Sequence, residues 1–345
     1  SHKISISSIK EELNEDIAIT FNEFSLDDIS SIFKKTKTPA EGIVNGNVLI
    51  KKINGSYGLI ADASINGLKI YEVPAGDLIF KATKAGKDFR INASLIGTEN
   101  NIHTEGTVQN ADSQSVLDLD VRIDKLSLNL IQSLAPEQLT SAEGFVSGKF
   151  DITGKTSLPS INGNLNFNQV KLTPALTGSS YFINNENISL RDQKLTIRNF
   201  KIQDENNNNL SIDGEIKSIN TLPEFDISLM STNFQLMNTS AQLKNGYHGR
   251  LIIDSKILIK GNQKLPIITS NIRLKGNSDF TFIVPEKKLS ANKGEEVVIF
   301  NETLHLHPLI NKSSKQFEEQ STIKGYDISS TIEVEREAVL RIQID

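Results

Sequence analysis

Apolar and polar residues alternate along most of this chain, most regularly between Ala142 and Ile216. The run AEGFVSGKFDITG sets Val146, Phe150 and Ile152 on one face, and LPSINGNLNFNQVKL does the same with Leu165 and Phe167. KLTIRNFKIQDENNNNLSIDGEI follows with Leu195 and Ile197, then Leu210, Ile212 and Ile216. A period of two gives each strand one apolar and one wet face. In KLTIRNFKI the apolar phase slips between Ile197 and Phe200, which predicts a bulge. No neighbouring stretch reads as a helix long enough to cover the apolar face.

The same pattern extends in both directions. Ile4 to Phe24 predicts two strands around a polar break at Glu11 to Asp16. In FSLDDISSIFKK the spacing of Leu26, Ile29, Ile32 and Phe33 predicts a short helix near 25–35, with Ser25 as N-cap and Asp28 at the capping-box position. Strands resume after Pro39, aligning Val44, Val48 and Ile50, and later Leu117, Leu119, Val121 and Ile123. At Leu126 the chain repeats itself. Ser25, Leu26, Ile29, Ala40, Gly42, Val44 and Gly46 recur as Ser127, Leu128, Ile131, Ala142, Gly144, Val146 and Gly148, a constant offset of 102. A third, worn copy begins at Phe234. The expected unit is a short helix followed by antiparallel strands, stacked on its neighbours. It divides the chain into 1–125, 126–233 and 234–345. Further strands align Phe225 and Ile227; Leu251, Ile253, Ile257 and Ile259; and Phe280 and Phe282. The ending ISSTIEVEREAVLRIQID reads as two strands. Roughly 22 strands at ~4.8 Å each predict a sheet about 100 Å long.

Composition narrows the function classes. With 345 residues and 37% hydrophobic content, a sizeable core is within reach. A net charge of −5 with both signs interspersed offers no basic stripe for nucleic acid. The absence of cysteine removes disulfides and thiolate chemistry and leaves the compartment open. No apolar run approaches the ~20 residues of a membrane-spanning helix, and no signal peptide stands at the start. Ser1-His2 reads as a tag-cleavage remnant, so we expect an excised piece of a longer protein.

The search for catalytic chemistry returns nothing. No GxSxG occurs, and GFVSGK has too few residues between its glycines and Phe150 where a phosphate loop needs Ser or Thr. His305 and His307 form an HxH pair without a third ligand at a telling distance. Asp204, Asn206, Asn208 and Glu215 fall on calcium-loop positions, but Asn209 stands where glycine is needed, so a polar hairpin turn is expected. Asp27-Asp28 and Glu11-Glu12 are ordinary carboxylate pairs of a solvated helix start. We expect no enzyme, no cofactor and no metal.

The apolar face therefore carries the functional question. Two sheets packed as a sandwich would bury it; one sheet curled into a U would leave it open to lipid. Periodicity does not separate them. The absence of Trp and only 6% aromatic residues lean towards the groove, since sandwich cores carry large anchors.

In the order of its pieces, the stretch from GFVSGKFDITG to NLSIDGEI resembles the opening of the C-terminal domain of the TamB family, the translocation and assembly module proteins of Gram-negative envelopes. That domain opens with G-x-V-x-G-x-L-x-V-x-G-x-x-x-x-P-x-L-x-G-x-L, then an aromatic-bearing strand and an N-x-L-x-x-x-G-x-I close. FQLMNTS followed by GRLIIDSKILIKGNQKLPIITSNIRLKGNSDFTFIVPE continues the resemblance, which covers about 126–286 and is similar to Bacteroidetes-type members. There are two departures: no N-terminal anchor is present, and the chain reads as stopping before the family's outer-membrane-contacting end.

The resemblance implies an all-β, elongated β-taco: a U-shaped curled sheet with an apolar interior groove and short interspersed helices, related to AsmA-like and bridge-like lipid-transfer proteins. It implies a periplasmic location, a parent anchored in the inner membrane and an Omp85-type barrel as partner. Phospholipid acyl chains would lie along the aligned residues from Val146 to Ile216 and from Phe225 to Phe282. The alternative is a chaperone-like factor for outer-membrane barrels that pairs client strands at a sheet edge. An adhesin-type stalk gains little from Asn-rich turns without a calcium motif.

Overall fold

A computed structural model describes residues 3–11, 14–28, 39–53, 56–85, 88–111, 114–240, 246–284 and 325–344. Twenty strands form one curled sheet, so the fold is all-β. The strands are β1 (Lys3–Glu11), β2 (Asn14–Ser25), β3 (Ala40–Ile53), β4 (Ser56–Ile70), β5 (Val73–Ala85), β6 (Asp88–Ile96), β7 (Asn100–Ala111) and β8 (Gln114–Ser127). The helix α1 (Leu128–Leu134) leads to β9 (Leu139–Lys155), β10 (Ser160–Pro174), β11 (Tyr181–Ile183), β12 (Glu186–Arg191), β13 (Lys194–Gln203) and β14 (Asn209–Lys217). Then come β15 (Glu224–Thr239), β16 (Tyr247–Asn262), β17 (Leu265–Leu274), β18 (Asp279–Val284), β19 (Asp327–Val334) and β20 (Val339–Ile344).

From β1 to β11 and from β12 to β17 each strand pairs with the next in sequence, so the ladder grows along one axis. Three ladder positions hold two collinear halves: β11 with β12 beside β10, β17 with β18 beside β16, and β19 with β20 beyond them. That leaves seventeen positions from the twenty strands, or about 80 Å at the usual interstrand spacing, shorter than the expected 100 Å. β19 and β20 run parallel to β17 and β18, which corrects the expectation of antiparallel strands throughout. In sequence 42 residues separate β18 from β19, more than the minimum of about a dozen that a parallel pair requires. The chain exposes 23647 Å², whereas a compact protein of its mass would expose about 14,000 Å².

The expected helix caps are present. The Asn129 amide donates to Ser127 Oγ at 3.2 Å, and the Asp27 amide donates to Ser25 Oγ at 3.3 Å. Residues 26–28 begin a helical turn; 29–38 lie outside the described residues. The repeated glycines also serve alike. A Cβ on Gly46 would stand 2.2 Å from the Asp62 carbonyl, and one on Gly148 2.4 Å from the Asn164 carbonyl. The third copy departs from the expected unit: 234–239 is the end of β15, not a helix. Its Phe234 pairs with Ile253 across the ladder and stacks on Tyr181, contacts that an α-helix there would forfeit.

A row of bulges creases the sheet along its length. In β2, β4, β13 and β15 two residues oppose one at Glu23, Gly67, Asn199 and Asn233, each of which has positive φ. The bulge predicted between Ile197 and Phe200 is one of them. An extra residue leaves an amide without a ladder partner. Here the opposing side chain takes it: Glu23 N donates to Asn45 Oδ1 (2.8 Å), Gly67 N to Asp77 Oδ1 (2.7 Å), Asn199 N to Asp213 Oδ1 (2.7 Å) and Asn233 N to Asp254 Oδ1 (2.8 Å). β8 and β10 bulge at the same level. Bulges bend their strands, and the short parts beyond the crease form a packed wall in which Val170, Phe200, Phe234 and Leu274 are buried.

Candidate functional site

The ladder register assembles the apolar residues into continuous rows on one face. One row runs Val121, Phe150, Gly163, Leu190, Leu195, Ile216 and Phe225 from β8 to β15. Another runs from Ile123 through Leu165, Ile197, Ile227, Ile259 and Ile268 to Ile328. Glycines interrupt the rows where an aromatic ring needs space. A Cβ on Gly163 would meet Phe150 Cδ1 at 2.6 Å, and one on Gly148 would meet Phe150 Cε2 at 3.0 Å. The opposite face is polar, with cross-strand ion pairs such as Lys81–Asp62, Lys260–Asp226 and Arg273–Glu333.

Register therefore places every residue singled out from the pattern on this one inner face. Val146 and Ile253 are buried, and Phe282 is 43% exposed near the free end of the sheet. Phe150, Ile152, Leu165, Phe167, Leu195, Ile197, Leu210, Ile212, Ile216, Phe225, Ile227, Leu251, Ile257, Ile259 and Phe280 are half-buried. The division follows the crease. Above it Val170, Phe200, Phe234 and Leu274 are buried. Between it and the opposite rim, from β9 to β17, the described inner-face apolar residues are half-buried. A sheet packed on a second sheet would bury those middle rows. All described strands belong to one sheet, so the inner face is a trough with one covered side.

That cover has two parts. α1 lies over the ends of β4, β5, β8 and β9. Leu130 packs with Leu68 and Ala75, and Leu128 packs with Val146, Val170 and Phe200. Buried Asn100 ties this end together, donating from Nδ2 to the Ala75 carbonyl (3.1 Å) and accepting at Oδ1 from the Ser127 amide (3.0 Å). Further along, the 174–183 segment reaches over the turn between β13 and β14 to β15. Tyr181 stacks on Phe234 with centroids 5.5 Å apart and its hydroxyl donates to the Leu236 carbonyl at 2.6 Å. Burial raises the pKa of that hydroxyl. Phe167 meets Phe200 edge-on at 5.2 Å.

Asp204 lies at the middle of this cover and is 1% exposed. Its Oδ1 accepts the amides of Asn206 and Asn208, both at 2.8 Å, and its Oδ2 accepts the Gln235 amide at 2.8 Å. The calcium-like pattern is thus a hairpin turn whose carboxylate is occupied by protein donors. Among the described residues no group of three His, Asp or Glu could hold a metal, and His305 and His307 lie outside them. No described helix is long and apolar enough to cross a membrane.

Pattern reading missed the crease and its cover. One signal was available: the left-handed residue directly precedes an apolar one at Glu23-Phe24, Gly67-Leu68, Gln169-Val170, Asn199-Phe200 and Asn233-Phe234. Each pair marks a phase slip.

Comparison with known families gives a match to the TamB C-terminal domain over residues 198–345, beginning within the second repeat and reaching the last residue. Neither a curated protein nor a solved structure matches the chain. Residues 198–345 are thus similar to the C-terminal domain of the TamB family of envelope-associated bacterial proteins, a similarity that suggests a role in outer-membrane assembly or transport.

Proposed function

We propose that this chain is a section of a passive periplasmic conduit that carries phospholipid between the inner and outer membranes. Acyl chains lie along the trough between crease and open rim, headgroups stay at the rim, and no covalent step occurs. The half-buried state of the apolar rows from β9 to β17 carries this reading. Each methylene removed from water contributes about 0.8 kcal/mol, so two acyl chains offset much of the cost of leaving a bilayer. Because isoleucine, leucine, phenylalanine and glycine recur from strand to strand, a chain slides without meeting a deep minimum. The parent protein is anchored in the inner membrane, and an Omp85-family barrel receives the far end.

Native mass spectrometry of the purified chain tests this, with phospholipid expected to co-purify. Leu195→Asp with Ile216→Asp should abolish that lipid while leaving the fold, because neither residue belongs to the clusters under the covered wall. Leu165 is a poorer choice, since it packs against Val146 and its neighbours. Photo-crosslinkers at Phe150 and Phe225 that trap no phospholipid in cells would sink the reading.

A second reading has its own observation. β19 and β20 present exposed Ile328, Ile332, Leu340 and Ile342 beside an edge with no further described strand, a surface suited to pairing with barrel strands. Proline at Thr331 would impair that function and leave lipid loading intact.

A further inference from the structure

The two rims of the trough differ in charge as well as in cover. The covered rim is made by the connections β4–β5, β6–β7, α1–β9 and β13–β14. It carries Glu72, Glu99, Glu137 and Glu205, and these connections hold no lysine or arginine. The open rim is made by β5–β6, β9–β10, β12–β13, β14–β15 and β16–β17. It carries exposed Lys84, Lys155, Arg191 and Lys264, none with an ion-pair partner among the described residues. Lys194 and Lys217 stand there too, sharing Glu215 at 3.4 and 2.7 Å. The acids on this side are Asp88, Asp192 and Glu224, with Glu11 and Glu15 at the β1–β2 turn, where Lys10 also stands. Lys51 and Lys52 add to the cations beside the β3–β4 turn. In a chain with a net charge of −5, the rim beside the accessible apolar rows is thus the one enriched in cations.

From this we infer that the trough takes its lipid in one orientation, with the phosphate held at the open rim by Lys84, Lys155, Arg191 and Lys264 and the acyl chains on the rows beneath. This rests on the conduit reading and adds to it a headgroup class and a side. The four cations belong to four different hairpins, β5–β6, β9–β10, β12–β13 and β16–β17, spaced along the ladder axis. A phosphate leaving one therefore finds another further along the same edge. The covered rim works the other way, because its carboxylates repel a phosphate that the wall above the crease already obstructs.

The experiment uses the whole chain and monomeric short-chain lipid, so that no membrane surface contributes. Dihexanoylphosphatidylglycerol below its micelle concentration is titrated calorimetrically beside dihexanoylglycerol, which has the same acyl chains and no phosphate. The wild-type chain should prefer the phosphate-bearing lipid by about tenfold, a preference that shrinks as salt rises. Replacing the four cations (Lys84→Gln, Lys155→Gln, Arg191→Gln and Lys264→Gln) should erase the preference and leave dihexanoylglycerol binding unchanged. A variant that keeps the preference overturns the rim assignment while the conduit stands. Equal loss of both lipids overturns it as well, since the substitutions would then act through the fold. If the wild-type chain binds neither lipid, the conduit reading fails and this inference with it.

Discussion

Phe234 and Phe225 lie on the same strand and the same face of the sheet, nine residues apart, yet their surroundings differ sharply. Phe234, beyond the bulge at Asn233, is 2% exposed, stacked on Tyr181 and paired with Ile253. Phe225, on the other side, is half-buried and pairs with Ile216 and Gly261. Both obey the same alternation. What separates them is the crease, which folds the short upper part of each strand into a packed wall and leaves the longer lower part as an open surface. The upper strip provides stability; the lower strip remains available for another molecule.

The sharpest way to break this contrast is to truncate the two rings separately. Phe234→Ala should cost about 3–5 kcal/mol, because a large side chain leaves a closed site. Phe225→Ala should cost about 1 kcal/mol, because water or lipid already reaches that ring. Urea melts of the two variants check the difference, and similar midpoints would mean the lower strip is covered after all. Asp213→Ala comes next, leaving the Asn199 amide without its acceptor and costing about 1–2 kcal/mol. Enhanced hydrogen exchange should then centre on Asn199 and Phe200.

The smallest expected effect concerns the far end of the crease, where Lys275 bridges Glu335 at 2.6 Å and Asp254 at 3.4 Å. The hydrogen bond from Lys275, and then that from the Gly276 amide, holds the Glu335 carboxyl below the usual carboxylate range. A lowered folded-state value means that the stabilisation is present above the ordinary carboxylate pKa. It is lost as pH falls through the lowered one. Protection of the Gly276 amide, corrected for its intrinsic exchange rate, should therefore decline on acidification. In Glu335→Gln protection should be low throughout and lack that step.

Which side chains share a face was legible from the chain, because a two-residue period survives any packing. Ile197 and Phe200 even revealed their bulge, since the slip falls between two strong apolar signals. The remaining bulges at Glu23 and Asn233 were hidden. Their left-handed residues are neither glycine nor a recognisable turn pair, and the Asn or Asp that holds the extra amide comes from the opposing strand. The collinear halves were hidden for a related reason. Asn184-Asn185 looks like any turn, but here it lets β11 and β12 continue along one neighbour. The third copy misled because FQLMNTS resembles its helical counterparts, whereas its first residue is claimed by Tyr181 across the wall.

The sequential ladder also bears on how such a molecule changes size. No described strand must find a partner far off along the ladder, so adding or deleting one hairpin alters the reach by about 9.6 Å and leaves the cross-section as it was. Length is thereby uncoupled from architecture, and duplication of a strand pair can fit such a rod to a wider or narrower gap between two fixed boundaries.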